Sequence, residues 1–208
     1  MNNHALILVD LQNDFLPGGA LAVRGGDEVI APANAAIAHA VEDGSLIVAT
    51  QDWHPPVHGS FAANHEGKQP GEVIELGGLP QVLWPVHCVQ YTGGALFAPG
   101  LQTRLIHRVV RKGTDPAIDS YSGFFDNGHT RSTELEFYLR SHGIERITVL
   151  GLATDYCVKF TALDGRELGF EVELLLPACR AVNLHRGDEA AAIEEMRAAG
   201  VQHFLIER

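Results

Sequence analysis

Residues Ala5-Leu6-Ile7-Leu8-Val9 form an unbroken apolar run, and Asp10 follows at once. The run does not alternate with polar residues, which suits a strand buried on both faces, as in a parallel sheet. Other apolar, β-branched runs read the same way: Leu46–Ala49, Leu105–Val110, Ile147–Leu150 and Val172–Leu176, with His203–Ile206 as a last candidate. Helical signals lie between them. Pro32 suits the first turn of a helix that carries Ala33, Ile37, Ala40 and Val41 on one face and stops at Gly44. Thr133-Glu134-Leu135-Glu136 is a capping-box pattern, and the helix after it stops at Gly143. A third helix is expected to follow Thr154 as N-cap and to run to Gly169, and a fourth to run from near Asp188 to Gly200. This alternation predicts a doubly wound α/β fold. The exception is Gln51–Arg104, rich in Pro, Gly and His and weak in periodicity. A segment of this length without regular pattern is expected to be functional.

The chain has 208 residues, enough for one substantial domain, so residues 1–208 are read as a single unit. Apolar residues make up 46% and charged residues 20%, as in ordinary globular proteins. With 15 Lys and Arg against 26 Asp and Glu, the formal net charge is −11. That sign disfavours nucleic-acid partners. No apolar run approaches the ~18–20 residues of a membrane helix, so no membrane partner is expected. The first residues lack a basic region and a cleavage pattern, so they read as a strand and not as a signal peptide. Three cysteines, Cys88, Cys157 and Cys179, form an odd and sparse set, which points to free thiols in a reducing cytoplasm. Nothing in the sequence fixes the oligomeric state, and a homo-oligomer is left open.

Cys157 closes Gly151-Leu152-Ala153-Thr154-Asp155-Tyr156-Cys157, directly after a predicted strand. With Thr154 as N-cap, Cys157 falls at the start of a helix, where free N–H groups and the positive helix end lower a thiol pKa. The same N–H groups suit an oxyanion formed by attack on a carbonyl. The alternative is a small buried hydrophobe. Asp10 and Lys112 each follow a predicted strand. In open parallel sheets the carboxyl ends of the strands share one edge, where ligands bind. Singly, Asp10 reads as a turn cap and Lys112 as a solvated lysine. Together with Cys157 they make a base, a cation and a nucleophile.

A second constellation is Gln51-Asp52-Trp53-His54-Pro55-Pro56-Val57-His58-Gly59-Ser60, joined by His87 in Trp84-Pro85-Val86-His87-Cys88. In an extended segment Asp52 and His54 point to one side. A carboxylate and two imidazoles form a borderline site for zinc, iron or manganese with positions left open. His58 is a candidate fourth ligand or a supporting partner, and Ser60 lies close behind it. The alternative is loop histidines bonded to backbone. Cys88 reads as structural, because adjacent residues seldom converge on one ion. Phe15, Trp84 and Tyr121 fall in the same loops, where aromatics seal a core edge or sandwich a flat ring.

Five segments taken in order carry a resemblance: Leu8-Val9-Asp10-Leu11-Gln12-Asn13-Asp14-Phe15, Asp52-Trp53-His54-Pro55, Trp84-Pro85-Val86-His87-Cys88, Lys112-Gly113 and Gly151–Val158. The chain resembles the nicotinamidase (pyrazinamidase) branch of the isochorismatase-like cysteine hydrolases. The resemblance implies a three-layer α/β/α fold around a mainly parallel sheet. It implies an Asp10–Lys112–Cys157 triad, an oxyanion hole from Ala153 and Cys157, and a cis peptide at Leu152–Ala153. It further implies one divalent metal ion (Zn, Fe or Mn) on Asp52, His54 and His87, and a ring pocket of Phe15, Trp84 and Tyr121. The expected reaction is hydrolysis of nicotinamide, or pyrazinamide, in NAD salvage. Two other readings stay open at this point: a sister amidohydrolase of the N-carbamoylsarcosine or ureidoacrylate type, and a non-enzymatic thiol or metal sensor.

Overall fold

The computed structural model describes residues 2–204. In chain order the strands are β1 (His4–Val9), β2 (Leu46–Asp52), β3 (Val73–Leu76), β4 (Leu79–Val82), β5 (Arg108–Lys112), β6 (Arg146–Leu152), β7 (Glu171–Arg180) and β8 (Gln202–Phe204). The helices are α1 (Ile30–Glu42), α2 (Leu135–Ser141), α3 (Lys159–Glu167) and α4 (Asp188–Ala198). Six strands form one sheet in the order β5-β2-β1-β6-β7-β8. Each neighbouring pair is parallel, so the expected central sheet is present. Ala5 through Val9 are buried, as are Ile47–Ala49 in β2 and Val149–Leu152 in β6. That burial explains the unbroken apolar runs.

Helices cover both faces. A Cβ on Gly165 of α3 would lie 2.9 Å from Ile147 Cδ1, so glycine lets α3 sit close to β6. The next residue, Thr148, shares a groove with Ala36 and His39 of α1. Successive strand side chains point to opposite faces, so α1 and α3 lie on opposite sides and the architecture is α/β/α. Among the described residues no helix is long and apolar enough to cross a membrane.

Several expectations shift. Thr103–Leu105 form a 3-10 turn, and the strand expected from Leu105 begins at Arg108 instead. Ala33, Ile37 and Ala40 face the core, but Val41 is 50% exposed. The capping box forms by half. Thr133 Oγ1 accepts from Leu135 N–H at 3.1 Å, while Glu136 lies 3.8 Å from Arg140 and does not reach back. Thr154 is no N-cap: Thr154–Val158 make a π-helical turn ahead of α3, and Thr154 Oγ1 is buried without a partner. β7 runs beyond the expected Leu176 to Arg180. Of the last expected strand, residues 203 and 204 pair with β7, and residues 205 and 206 lie outside the described residues. The irregular segment also holds a hairpin, β3–β4. Its turn, Gly77-Gly78, has φ of 61° and 81°, the positive pair that a two-residue type I′ turn requires.

Candidate active site and metal centre

The register of the sheet assembles the site. Val9 pairs with Gly151 and Asp52 with Lys112, so the ends of β1, β2, β5 and β6 come together at the carboxyl edge. Asp10, just past β1, takes φ of 48°, a left-handed conformation that Asp tolerates better than most residues. Its Oδ1 accepts from Thr50 Oγ1 at 2.6 Å, and its own N–H donates back to that hydroxyl at 3.2 Å. Lys112 Nζ is the centre of the cluster. It lies 2.9 Å from Asp10 Oδ2, 2.5 Å from Asp52 Oδ1 and 3.3 Å from Cys157 Sγ, and donates to Ser120 O at 3.0 Å. All four side chains are buried.

Burial sets the protonation of this cluster against its charges. Burial acts against the Lys112 ammonium, but Asp10 and Asp52 outweigh it and hold its pKa well above the usual lysine value. Burial also acts against Asp52, yet Lys112 and His54 keep its carboxyl well below the usual range. Asp10 goes the other way. Burial raises its pKa, Lys112 offsets only part, and Asp52 adds to the rise. Burial pushes the Cys157 thiol well up, with Lys112 opposing and the two carboxylates adding. This corrects the expectation of a thiol ionised by a helix end. The π-turn buries the sulfur, and a neighbouring base has to take its proton.

Asp52, His54 and His87 also converge. Their ligand atoms lie within 4.8 Å of one another. His54 Nε2 is 3.5 Å and His87 Nε2 3.8 Å from Asp52 Oδ2. His54 Nδ1 bonds Gly113 O at 2.8 Å, and His87 Nδ1 bonds Pro85 O at 2.8 Å. A carbonyl only accepts, so each Nδ1 carries a hydrogen, and in the neutral ring each Nε2 offers a lone pair. Three electron-pair donors therefore face one point, which fits a borderline divalent cation held by two supported imidazoles and a carboxylate. Gly113 makes room for this: at its φ of 64° a Cβ would lie 2.3 Å from His54 Cε1. His58 stands beside the set, its ring centroid 4.4 Å from that of His54. Its Nδ1 accepts from Ser60 N–H at 3.2 Å and contacts Ser60 Oγ at 2.7 Å, while its buried Nε2 has no partner. Burial and the nearby His54 lower its pKa to about 4.

A cavity opens between these groups. Phe15, Trp84, Tyr121, Tyr156, Leu21 and Val182 wall it, with Asp52, His54, His87, Asp119, Ala153 and Cys157. Trp84 Nε1 donates to Tyr121 OH at 3.1 Å, and Gln81 Nε2 lies 3.0 Å from the same oxygen. The Tyr156 ring meets Trp84 edge-on at 4.8 Å. The cavity volume is about 30 Å³.

Residues 4–206 match the model of the isochorismatase domain. The chain belongs to the isochorismatase domain family. It is 50% identical over 206 residues to a nicotinamidase of Escherichia coli K12, covering 99% of this chain and 96% of that protein. A crystal structure of the yeast nicotinamidase Pnc1p, bound to the inhibitor nicotinaldehyde, superposes with a TM-score of 0.91 at 33% identity, covering 96% of this chain and 98% of that one. A pyrazinamidase of Pyrococcus horikoshii in complex with zinc superposes with a TM-score of 0.80 at 40% identity, covering 99% and 100%.

In this isochorismatase-domain chain every singled-out site residue lies at the carboxyl edge. Ala153 and Cys157 line the cavity together, and the Leu152–Ala153 peptide is cis. Leu21, Asp119, Tyr156 and Val182 were missed. Tyr156 had a signal in its place beside Cys157, whereas the other three lie outside the quoted motifs. Two residues of the first motif, Gln12 and Asp14, brace the segments that carry Asp52 and His87. Gln12 clasps the Asp52 backbone, donating to its carbonyl and accepting from its N–H, both at 2.8 Å. Asp14 Oδ2 accepts from Cys88 N–H at 2.7 Å, beside His87. Cys88 is buried, and its N–H and carbonyl serve this backbone frame. Cys179 is packed against Leu175 O.

Proposed function

We propose that this chain is a metal-dependent nicotinamidase. It hydrolyses nicotinamide to nicotinate and ammonia, and pyrazinamide to pyrazinoate, through a thioester on Cys157. The observation that carries this reading is a single buried ammonium, Lys112, within reach of Asp10, Asp52 and the Cys157 sulfur, the last two of which line an aromatic cavity. Near-full-length identity to a protein named nicotinamidase supports the substrate.

Phe15, Trp84, Tyr121 and Tyr156 hold the flat ring, and Ala153 and Cys157 face the carboxamide. Asp10, with its raised pKa, takes the thiol proton, and the sulfur attacks the carboxamide carbon. The N–H groups of Ala153 and Cys157 take the oxyanion. Asp10 returns the proton to the leaving ammonia, then removes one from the water that hydrolyses the thioester. Lys112 keeps Asp52 ionised and steadies the thiolate as it forms. Asp52, His54 and His87 would hold a divalent ion such as zinc, which supplies an electron-withdrawing anchor for a ring nitrogen.

One family model spans residues 4–206, which supports a single working domain. Three free, buried thiols suit a reducing compartment such as the cytoplasm. Purified protein should release ammonia from nicotinamide, and Cys157→Ala should release none. Turnover of another small amide but not of nicotinamide would move the chain to a sister activity.

A further inference from the structure

Asp155 sits two residues before the sulfur, is 5% exposed and has no part in the chemistry above. Its carboxylate does one thing. Oδ1 accepts from Val182 N–H at 2.9 Å, and Oδ2 accepts from Asn183 N–H at 2.8 Å. Val182 is a wall of the substrate cavity. Asn183 takes φ of 53°, and its Oδ1 accepts from Glu189 N–H at 3.0 Å in the first turn of α4. One carboxylate thus ties the turn that carries Cys157 to Val182 in the cavity wall, 27 residues further along the chain.

We infer that Asp155 is a positioning residue that sets the distance between Val182 and the Cys157 turn, and so sets which substituted rings the cavity admits. The inference rests on the nicotinamidase reading. Physically, both oxygens of the carboxylate are needed. Two backbone N–H groups point at one side chain, and a carboxylate offers acceptors to both. Asparagine offers one carbonyl oxygen and turns an NH2 toward the other N–H. The wall is then held on one bond only. Because Val182 lines the cavity itself, a wall that gives way is felt by the ring before it is felt by the reacting carbon.

The test compares nicotinamide with its ring-methylated isomers in the native protein, Asp155→Asn and Val182→Ala. A single methyl in a close pocket is discriminated by about 10–200-fold. The expected result is that Asp155→Asn raises KM for nicotinamide about tenfold while kcat falls less than about threefold. One methyl isomer should also gain about tenfold in kcat/KM relative to nicotinamide, and Val182→Ala should favour the same isomer. Equal losses for every substrate, or a different favoured isomer in the two variants, would overturn the inference. If Asp155→Asn does not fold, Asp155→Glu, whose extra methylene displaces both acceptor oxygens from the two N–H groups, replaces it under the same requirement. Amide exchange gives a readout that does not depend on the reaction. Val182 and Asn183 N–H protons should exchange at least about tenfold faster in the variant, with β1 and β6 unchanged. Unchanged protection there defeats the clamp, whereas native protein inert to nicotinamide defeats only the proposed substrate.

Discussion

The two edges of the same sheet bury polar side chains in opposite styles. At the amino edge Ser45 Oγ lies 2.9 Å from His4 Nδ1, His4 Nε2 2.8 Å from Thr148 Oγ1, and Thr148 Oγ1 donates to Glu173 Oε2 at 3.1 Å. The carboxylate must accept, so Thr148 O–H donates to Glu173 and His4 Nε2–H to Thr148; with His4 neutral, its Nδ1 accepts from Ser45 O–H. Each group is satisfied. At the carboxyl edge two carboxylates and a thiol crowd one ammonium. Among the described residues, His58 Nε2 and Thr154 Oγ1 at this edge are buried without a hydrogen-bond partner, while Asp10 Oδ2 is held by its ion pair with Lys112. Buried polar groups are normally satisfied, and exceptions mark function or strain. Residue type does not separate the two clusters, since a serine, a histidine and a glutamate also make a catalytic triad. Satisfaction separates them.

The strongest way to break this contrast is to remove one nucleophilic side chain from each edge. Cys157→Ala should lose about 10⁴-fold or more in turnover. Ser45→Ala should keep native kcat and KM and cost about 1 kcal/mol in denaturant unfolding. Equal losses of activity would show that both edges act. Lys112→Met tests the crowding itself. It leaves Asp10 and Asp52 buried without their cation, and breaking such a set costs about 3–5 kcal/mol. Urea titration should show that loss, together with near-complete loss of ammonia release. Chelation followed by gel filtration should remove the metal, lower activity about 10²-fold or more and be reversed by added zinc, iron or manganese. Elemental analysis of Asp52→Ala should show less than half the metal of the native protein. Trp84→Ala opens the ring wall. It should raise KM for nicotinamide about tenfold and destabilise the fold by about 3 kcal/mol.

The same contrast explains what could be read before the fold was known. Strands buried on both faces announce themselves as apolar runs, so β1, β2, β6 and β7 and their common carboxyl edge were legible. Asp10, Lys112 and Cys157 were candidates because of that edge, and their grouping as a triad came from the family resemblance. β5 was misplaced at its start because Ile106 and Leu105 pack as a turn outside the ladder. Asp52, His54 and His87 were legible only as residue types. Their convergence depends on Gly113, Pro85 and Gln12, which reach them from elsewhere in the chain. The raised thiol pKa was not legible, since it comes from burial in a π-turn where the pattern promised an ordinary helix start. Val182 and Asp119 carry no local signal at all. Only tertiary contacts bring them to the cavity.

The amino edge makes its own, smaller prediction. Neutral His4 accepts from Ser45 through Nδ1 and donates to Thr148 through Nε2. Burial, with the nearby Arg146, lowers the His4 pKa below 6.5. The unfolded chain therefore gains this proton first as pH falls. The stability that neutral His4 confers is complete above 6.5 and is lost progressively as pH drops from there toward the folded value. His4→Gln cannot take up that proton. At about pH 7.5 it should melt about 2–4 °C below the native protein, the equivalent of one hydrogen bond. Toward about pH 5 the two melting curves should converge, since only the native protein has a penalty to lose. Parallel curves across that range would mean that His4 is protonated in the fold, that the chain runs in another direction, and that the two edges differ less than their geometry says.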